Sequence, residues 1–438
     1  MEVSEPRRMI HPGAPGSRVT RLELLYDLIF VFAFLNVTNV AGEQLSPLGL
    51  TRALLVLALL WWCWTSFAAL GNLARADQGL LPLLSFAIMA AVLVLALTLP
   101  EAFVDDPGGL YGPVVFAACY AVVRVGQLAV HWTVLRTTGA GWVGPLRNFG
   151  VFAVPVLTST TLILIAALIP HGADKAEPNP VRLGLWGAAI VAEYLAGTVR
   201  LSGRFYIVSA GHWAERHALI VLVALGESII SIGVGPNLTG GLPVTWAVIV
   251  AAALGFTVTV CLWWMYFDEH AIAAEQSLHG TRDPEVRRRL VRDAYTYLHL
   301  PMIIGIIAFA LGLKRYLGDI SADPETGWQH RVEILELDLL YGGVLLFLLA
   351  LAAFARRTTH HYRPALPLVV LVVVLVVVIA TIRPPALIAL AMLATGCVVL
   401  VLMQFWQRSH ARSRVRRTAL NEQLASEADQ SEWRRKHL

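Results

Sequence analysis

Twelve long apolar runs, separated by short polar or basic connections, follow one another along this chain from residue 22 to residue 405. Crossing a hydrocarbon core about 30 Å thick takes roughly 20 apolar residues as helix, because in lipid every backbone N–H and C=O must find its partner within its own segment. The runs predict transmembrane helices near residues 22–41, 48–70, 80–99, 111–135, 149–169, 182–201, 217–235, 244–267, 296–313, 336–355, 365–382 and 386–405. The last two, parted by Arg383-Pro384-Pro385, are dominated by aliphatic side chains and are expected to face lipid. The pattern predicts an all-α fold, a polytopic bundle of about 12 transmembrane helices.

Composition agrees. With 438 residues, 57% hydrophobic and only 15% charged, and a mean hydropathy of +0.65, the chain has lipid as the solvent for most of its surface. A net charge of +4 would admit nucleic acid as a partner, but the arginines fall in short clusters between apolar runs instead of covering one face. They serve better as topology signals, since cytoplasmic loops carry the excess of Lys and Arg. Placing both termini in the cytoplasm puts twenty-six basic residues inside and seven on outer loops and outer helix ends, Lys314 and Arg315 among the seven. A helix miscounted in the middle would move every later loop to the other side.

The expected organisation is a cytoplasmic tail over 1–21, without the apolar core of a signal peptide, then six-helix halves over 22–203 and 204–405, then a cytoplasmic tail over 406–438. Each half begins with a basic residue before an acid in the helix, Arg21 before Asp27 and Arg216 before Glu227, but no string of identities aligns the two. The cytoplasmic loop 268–294 carries Arg287, Arg288, Arg289 and Arg292 on an expected surface helix after Pro284, where anionic lipid headgroups are the natural partner.

Charge inside a span costs about 2.5–3.5 kcal/mol at mid-membrane on insertion scales, so each such residue is a functional candidate. Glu23 and Asp27, four apart, share a helix face near the cytoplasmic surface, and Phe30 and Phe34 continue that face inward. Glu227 lies about ten residues from either end of its predicted span, with Ser231 on its face, and Gly226, Gly233 and Gly235 nearby would allow close helix approach. It reads either as a protonatable carrier or ligand contact, or as a structural counter-ion for Arg124 in the fourth helix. Glu193 and Arg200, seven apart in the sixth helix, read as a helix-end ion pair, with a functional role for Glu193 as the alternative.

The segment GHWAERHAL sets His212, Glu215, Arg216 and His217 at the cytoplasmic mouth of the seventh helix. Its histidines are five apart, not the four that a zinc-binding helix face needs, and pairing with Glu23 or Asp27 is the expectation. In the ninth helix Pro301 removes a backbone donor beside Tyr295, Tyr297 and His299, which reads as a kinked gate or, for His299, as an interface anchor. The four cysteines stand singly in apolar stretches, and no nucleotide-binding, serine-nucleophile or zinc-protease motif is present. No metal or cofactor is therefore expected.

Three strings, VTRLELLYDLIFVFAF (19–34), AERHALIVLVALGESIISIG (214–233) and YLHLPMIIGIIAFALG (297–312), resemble the signature regions of the bacterial low temperature requirement A family, and the resemblance spans residues 18–405. It implies a multi-pass protein of the bacterial inner membrane, associated by name with growth in the cold, and supplies neither substrate nor reaction. Its motif positions favour Glu23, Asp27, Glu215, Arg216, Glu227 and His299. The leading functional reading is a secondary transporter or exporter of a small organic solute, coupled to protons through Glu227 with help from Asp27 and Glu23. The rivals are an intramembrane enzyme using Glu227 with Arg124 or His299, and a non-catalytic accessory or sensor protein.

Overall fold

A computed structural model describes residues 16–43, 45–75, 77–79, 81–105, 108–137, 143–169, 179–200, 207–235, 244–322, 334–359, 384–407 and 409–437. The span expected at 365–382 lies outside them. The described chain is a membrane helix bundle: α1 Arg21–Glu43, α2 Pro47–Leu73, α3 Leu81–Leu97, α4 Gly112–Thr137, α5 Val143–Leu168, α6 Pro180–Arg200, α7 Ala210–Val234, α8 Trp246–Met265, α9 Ala271–Gly280, α10 Pro284–Leu290, α11 Leu298–Ala322, α12 Ile334–Thr358, α13 Ala386–Gln407 and α14 Ser409–His437.

Polar side chains fix several helix starts. Ser46 accepts from the Gly49 N–H ahead of α2, Ser209 from His212 ahead of α7, and Thr245 from Val248 ahead of α8, each satisfying a backbone donor that the first turn leaves open. Asp283 caps α10, whose first residue is Pro284, in the place where a missing N–H costs nothing.

Two π-helical turns, Tyr266–His270 and Val291–Tyr297, join α8 to α9 and α10 to α11 without a break. The expected basic loop is thus two helical extensions of neighbouring spans meeting at a turn over 281–283. The surface helix after Pro284 forms, and its Arg288 and Arg289 pair with Glu285 one turn back. The long exposed α14 is tied to this extension by Arg416 on Asp268 and by the Gln276 amide on the Val415 carbonyl.

Among the described residues nine helical stretches are long and apolar enough to cross a membrane, and α3 is a shorter apolar helix of 17 residues. The amphipathic α6, with Arg182 and Glu193 in it, is likewise not among the nine. Helices α1 and α7 lie side by side and run parallel, joined by three contacts of identical sequence offset (below), so an odd number of crossings must separate them. The five helices α2 to α6 meet that condition, as do the three of them that count among the nine.

Among the described residues α11 crosses α12 with its backbone close to that of its neighbour. A Cβ added to Gly305 would stand 2.5 Å from the Gly343 carbonyl oxygen, and one on Gly343 would stand 2.6 Å from that of Gly305. Small residues at such a crossing let backbones approach, and dispersion contacts then hold the pair where lipid offers no hydrophobic driving force. Of the three glycines expected to do this around Glu227, only Gly235 does, against the Lys314 carbonyl; Gly226 and Gly233 face open space.

Candidate functional site

Three rungs join α1 to α7. Glu23 Oε1 lies 2.9 Å from His212 Nε2, Arg216 Nη1 donates to Asp27 Oδ2 at 2.7 Å, and Thr38 Oγ1 donates to Glu227 Oε1 at 2.8 Å. All six side chains are buried. Each pair is separated by 189 residues, so the two helices stay in register over the whole interface. The GHWAERHAL cluster and the first-helix acids are therefore partners, the pairing expected of them.

The first two rungs form a closed network. The other carboxylate oxygen of Glu23 accepts from the Thr20 N–H and hydroxyl at 2.9 Å each, and Arg216 also donates to the Glu23 carbonyl. Asp27 Oδ1 accepts from Trp64 Nε1 at 2.8 Å, and the Arg216 guanidinium lies over the Trp64 ring at 5.3 Å. Gly71 makes the space, since a Cβ there would stand 2.0 Å from Glu23 Oε1. Asn72 holds the entry of α7 by accepting from the Val208 N–H and donating to the Ser209 carbonyl. Glu215 sits half-buried at the edge, where its Oε2 accepts from the Val19 N–H at 3.2 Å.

Beyond Asp27 the α1 face turns aromatic through Phe30 and Phe34, both fully buried, and then reaches the third rung. Glu227 Oε1 accepts from Ser231 at 3.2 Å as well as from Thr38, while its Oε2 has no hydrogen-bond partner. Because α7 begins at Ala210 and not near 217, Glu227 is off-centre, seven residues before the helix ends at Val234. Lys314 stands close by. It was expected at an outer helix end, but α11 continues to Ala322, so Lys314 is buried at 4% exposure and donates to Asn39, the neighbour of Thr38.

Arg124 has a different counter-ion from the one considered for it. Its Nη2 donates to Glu193 Oε1 at 2.6 Å, and Nη1 donates to Ser66 and Gln127 at 2.9 and 2.7 Å. Glu193 Oε1 also accepts from Ser159 at 2.7 Å. Glu193 thus belongs to a buried ion pair between α4 and α6; the side chain of Arg200, its expected partner, lies outside the described ones. Glu227 is therefore not the partner of Arg124, and the basic side chain beside it is Lys314.

His299 is not an interface anchor but fully buried, with Nε2 2.8 Å from the Tyr266 hydroxyl and Nδ1 3.0 Å from the Ala294 carbonyl. The π turn before it displaces the ordinary carbonyl partner, and Pro301 follows within the same helix. His217, equally buried, packs among Trp61, Trp64, Trp213, Tyr295 and His299. Among the described residues no group of three His, Cys, Asp or Glu side chains could hold a metal ion.

Sequence reasoning missed Lys314, Trp64 and Asn72 as members of these networks. The first was hidden by a helix end placed too early, the others by neutral side chains that acquire meaning only from partners far along the chain.

Comparison with known proteins fits the geometry. Residues 18–404 match the family described as bacterial low temperature requirement A protein (LtrA). An uncharacterized protein, RA0937, of Rhizobium meliloti (strain 1021) is 32% identical over 302 residues, covering 66% of this chain and 67% of that protein. No solved structure matches.

Proposed function

The chain belongs to the bacterial low temperature requirement A family, and on that footing we propose that it is a proton-coupled secondary transporter or exporter of a small organic solute in the inner membrane. The observation that carries this reading is the line of three acids at different depths on one helix interface. Glu23 and Asp27 are engaged by His212 and Arg216 at one end, and Glu227 stands past Phe30 and Phe34 with one oxygen uncommitted. A carboxyl buried in a membrane bundle and only half satisfied is suited to take up and release a proton.

Movement has a place to occur. The π turn Val291–Tyr297 and Pro301 interrupt the regular backbone ladder at the start of α11, the helix that carries Lys314 further along. A change of charge at Glu227 alters its attraction to Lys314 and its use of Thr38 and Ser231, which biases the packing of α7 against α1 and α11. Alternating access requires such a two-state element coupled to a site within the bundle.

The test uses everted membrane vesicles with and without the protein, incubated in a small-molecule extract of the same cells. An imposed pH gradient should change the vesicle content of one solute class, read by mass spectrometry, only where the protein is present. Content that ignores both the gradient and the protein would contradict the proposal.

A further inference from the structure

An open cleft of about 470 Å³ lies where the C-terminal end of α12 passes the π turn Val291–Tyr297 and the start of α11. It is lined by Asp293, Tyr297, Leu298, Ala353, Arg356 and Arg357. Helical spacing gathers them. Ala353, Arg356 and Arg357 stand three and four apart on one face of α12, and Asp293 and Tyr297 are four apart on the facing segment. Leu298, Ala353 and the Tyr297 ring are the apolar part of the lining, because the Tyr297 hydroxyl is spent on the Tyr194 carbonyl at 2.7 Å.

The charge around the cleft is out of balance. Asp293 is the one acid in the lining, and both its oxygens are engaged: Oδ1 accepts from Arg292 Nε at 2.7 Å and Oδ2 from Arg357 Nε at 3.0 Å. Arg357 uses only its Nε there. Its side chain is 31% exposed, and its terminal nitrogens are neither hydrogen-bonded nor buried. Arg356 is exposed and makes no hydrogen bond or ion pair among the described residues. Three guanidinium groups thus meet one carboxylate. Cations at the end of a helix suit its dipole and fix topology, but neither task calls for an apolar cleft beside them.

We infer that this cleft is a binding site for an anionic phospholipid, its phosphodiester held by Arg356 and Arg357 and an acyl chain lying against Leu298, Ala353 and Tyr297. Guanidinium forks match phosphate oxygens in charge and geometry. Basic pockets between membrane helices are where such headgroups are held. The volume falls within the range of about 300–1,000 Å³ in which ligands bind. A soluble phosphate would satisfy the arginines and leave the apolar lining bare, and a zwitterionic lipid would bring an ammonium group among three guanidinium groups. Only the anionic lipid suits both parts of the cleft. The site rests on the cleft alone and stands whatever solute the protein carries.

The test is native mass spectrometry of the purified full-length chain in a neutral detergent, titrated with phosphatidylglycerol or phosphatidylethanolamine of identical acyl chains. One phosphatidylglycerol should bind more tightly than any further copy and more tightly than phosphatidylethanolamine. Arg356→Gln removes a charge that no fold contact uses, and should weaken this first binding about fivefold. Arg417→Gln makes an equal change of charge on the exposed α14, outside the cleft, and should leave it unaltered. Ala353→Trp fills the apolar part while keeping both arginines, and should weaken it as well. Glycerol 3-phosphate in excess should not compete. Equal affinity for the two lipids, equal effects of Arg356→Gln and Arg417→Gln, full affinity in Ala353→Trp, or competition by glycerol 3-phosphate overturns the inference. None of these readings depends on flux, so the site and the proposed transport stand or fall separately.

Discussion

Arg216 on α7 donates to Asp27 on α1 at 2.7 Å, and both side chains are buried, at 0% and 3% exposure. Removing one partner of a buried pair strands a charge and costs about 3–5 kcal/mol, whereas removing both is close to neutral. Asp27→Asn and Arg216→Met should each lower stability by that order, and the double variant should recover most of the loss. A double-mutant cycle on thermal unfolding in detergent checks this; strictly additive losses would mean that the two residues act separately.

Orientation is open to chemical labelling. With both termini in the cytoplasm, the connection between α2 and α3 faces inwards and that between α3 and α4 faces outwards. In a background with all four native cysteines replaced, Leu110→Cys, a position 78% exposed, should react with an impermeant maleimide in intact spheroplasts. Gln78→Cys should react only after lysis. The opposite pattern would invert the topology.

The reciprocal contact of Gly305 with Gly343 leaves no room for a methyl group. Gly305→Ala or Gly343→Ala should destabilise the bundle by about 1–3 kcal/mol through overpacking. Gly226→Ala, which meets nothing within 4 Å, serves as the control and should be neutral or slightly stabilising as a better helix former. Equal effects at all three positions would show that helix propensity alone governs them.

The apolar runs made the helices legible, because lipid leaves a span of this length one way to satisfy its backbone. Spacing also placed Glu23 with Asp27, and Glu227 with Ser231, on common faces, since these follow from helical geometry alone. Pairings between helices were another matter. Nothing in the sequence distinguishes Glu193 from Glu227 as the partner of Arg124, because each is an acid in a span and only the packing of α2 and α5 against both α4 and α6 decides. Lys314 followed an apolar run and so passed for a helix end; the continuation of α11 to Ala322 rests on contacts with α7 and α12 that no local pattern records.

Thr38 and Ser231 both donate to one oxygen of Glu227, and a glutamine there retains an acceptor for them. Glu227→Gln should therefore reach the membrane in normal amounts and unfold within about 1–2 kcal/mol of the wild type, the scale of one or two altered hydrogen bonds. Thermal unfolding of the two purified proteins measures this, and severe loss of the folded protein would make Glu227 a structural residue.

Metabolite profiling of cells and medium tests proton-coupled transport through Glu227 most directly. A deletion strain is complemented with wild type or with Glu227→Gln at matched membrane abundance. The expected result is one compound, chemically unchanged, whose distribution between cell and medium shifts with the wild-type protein, while the variant behaves as the deletion does. A precursor that accumulates while its product vanishes from both compartments would contradict it and mark the protein as an enzyme.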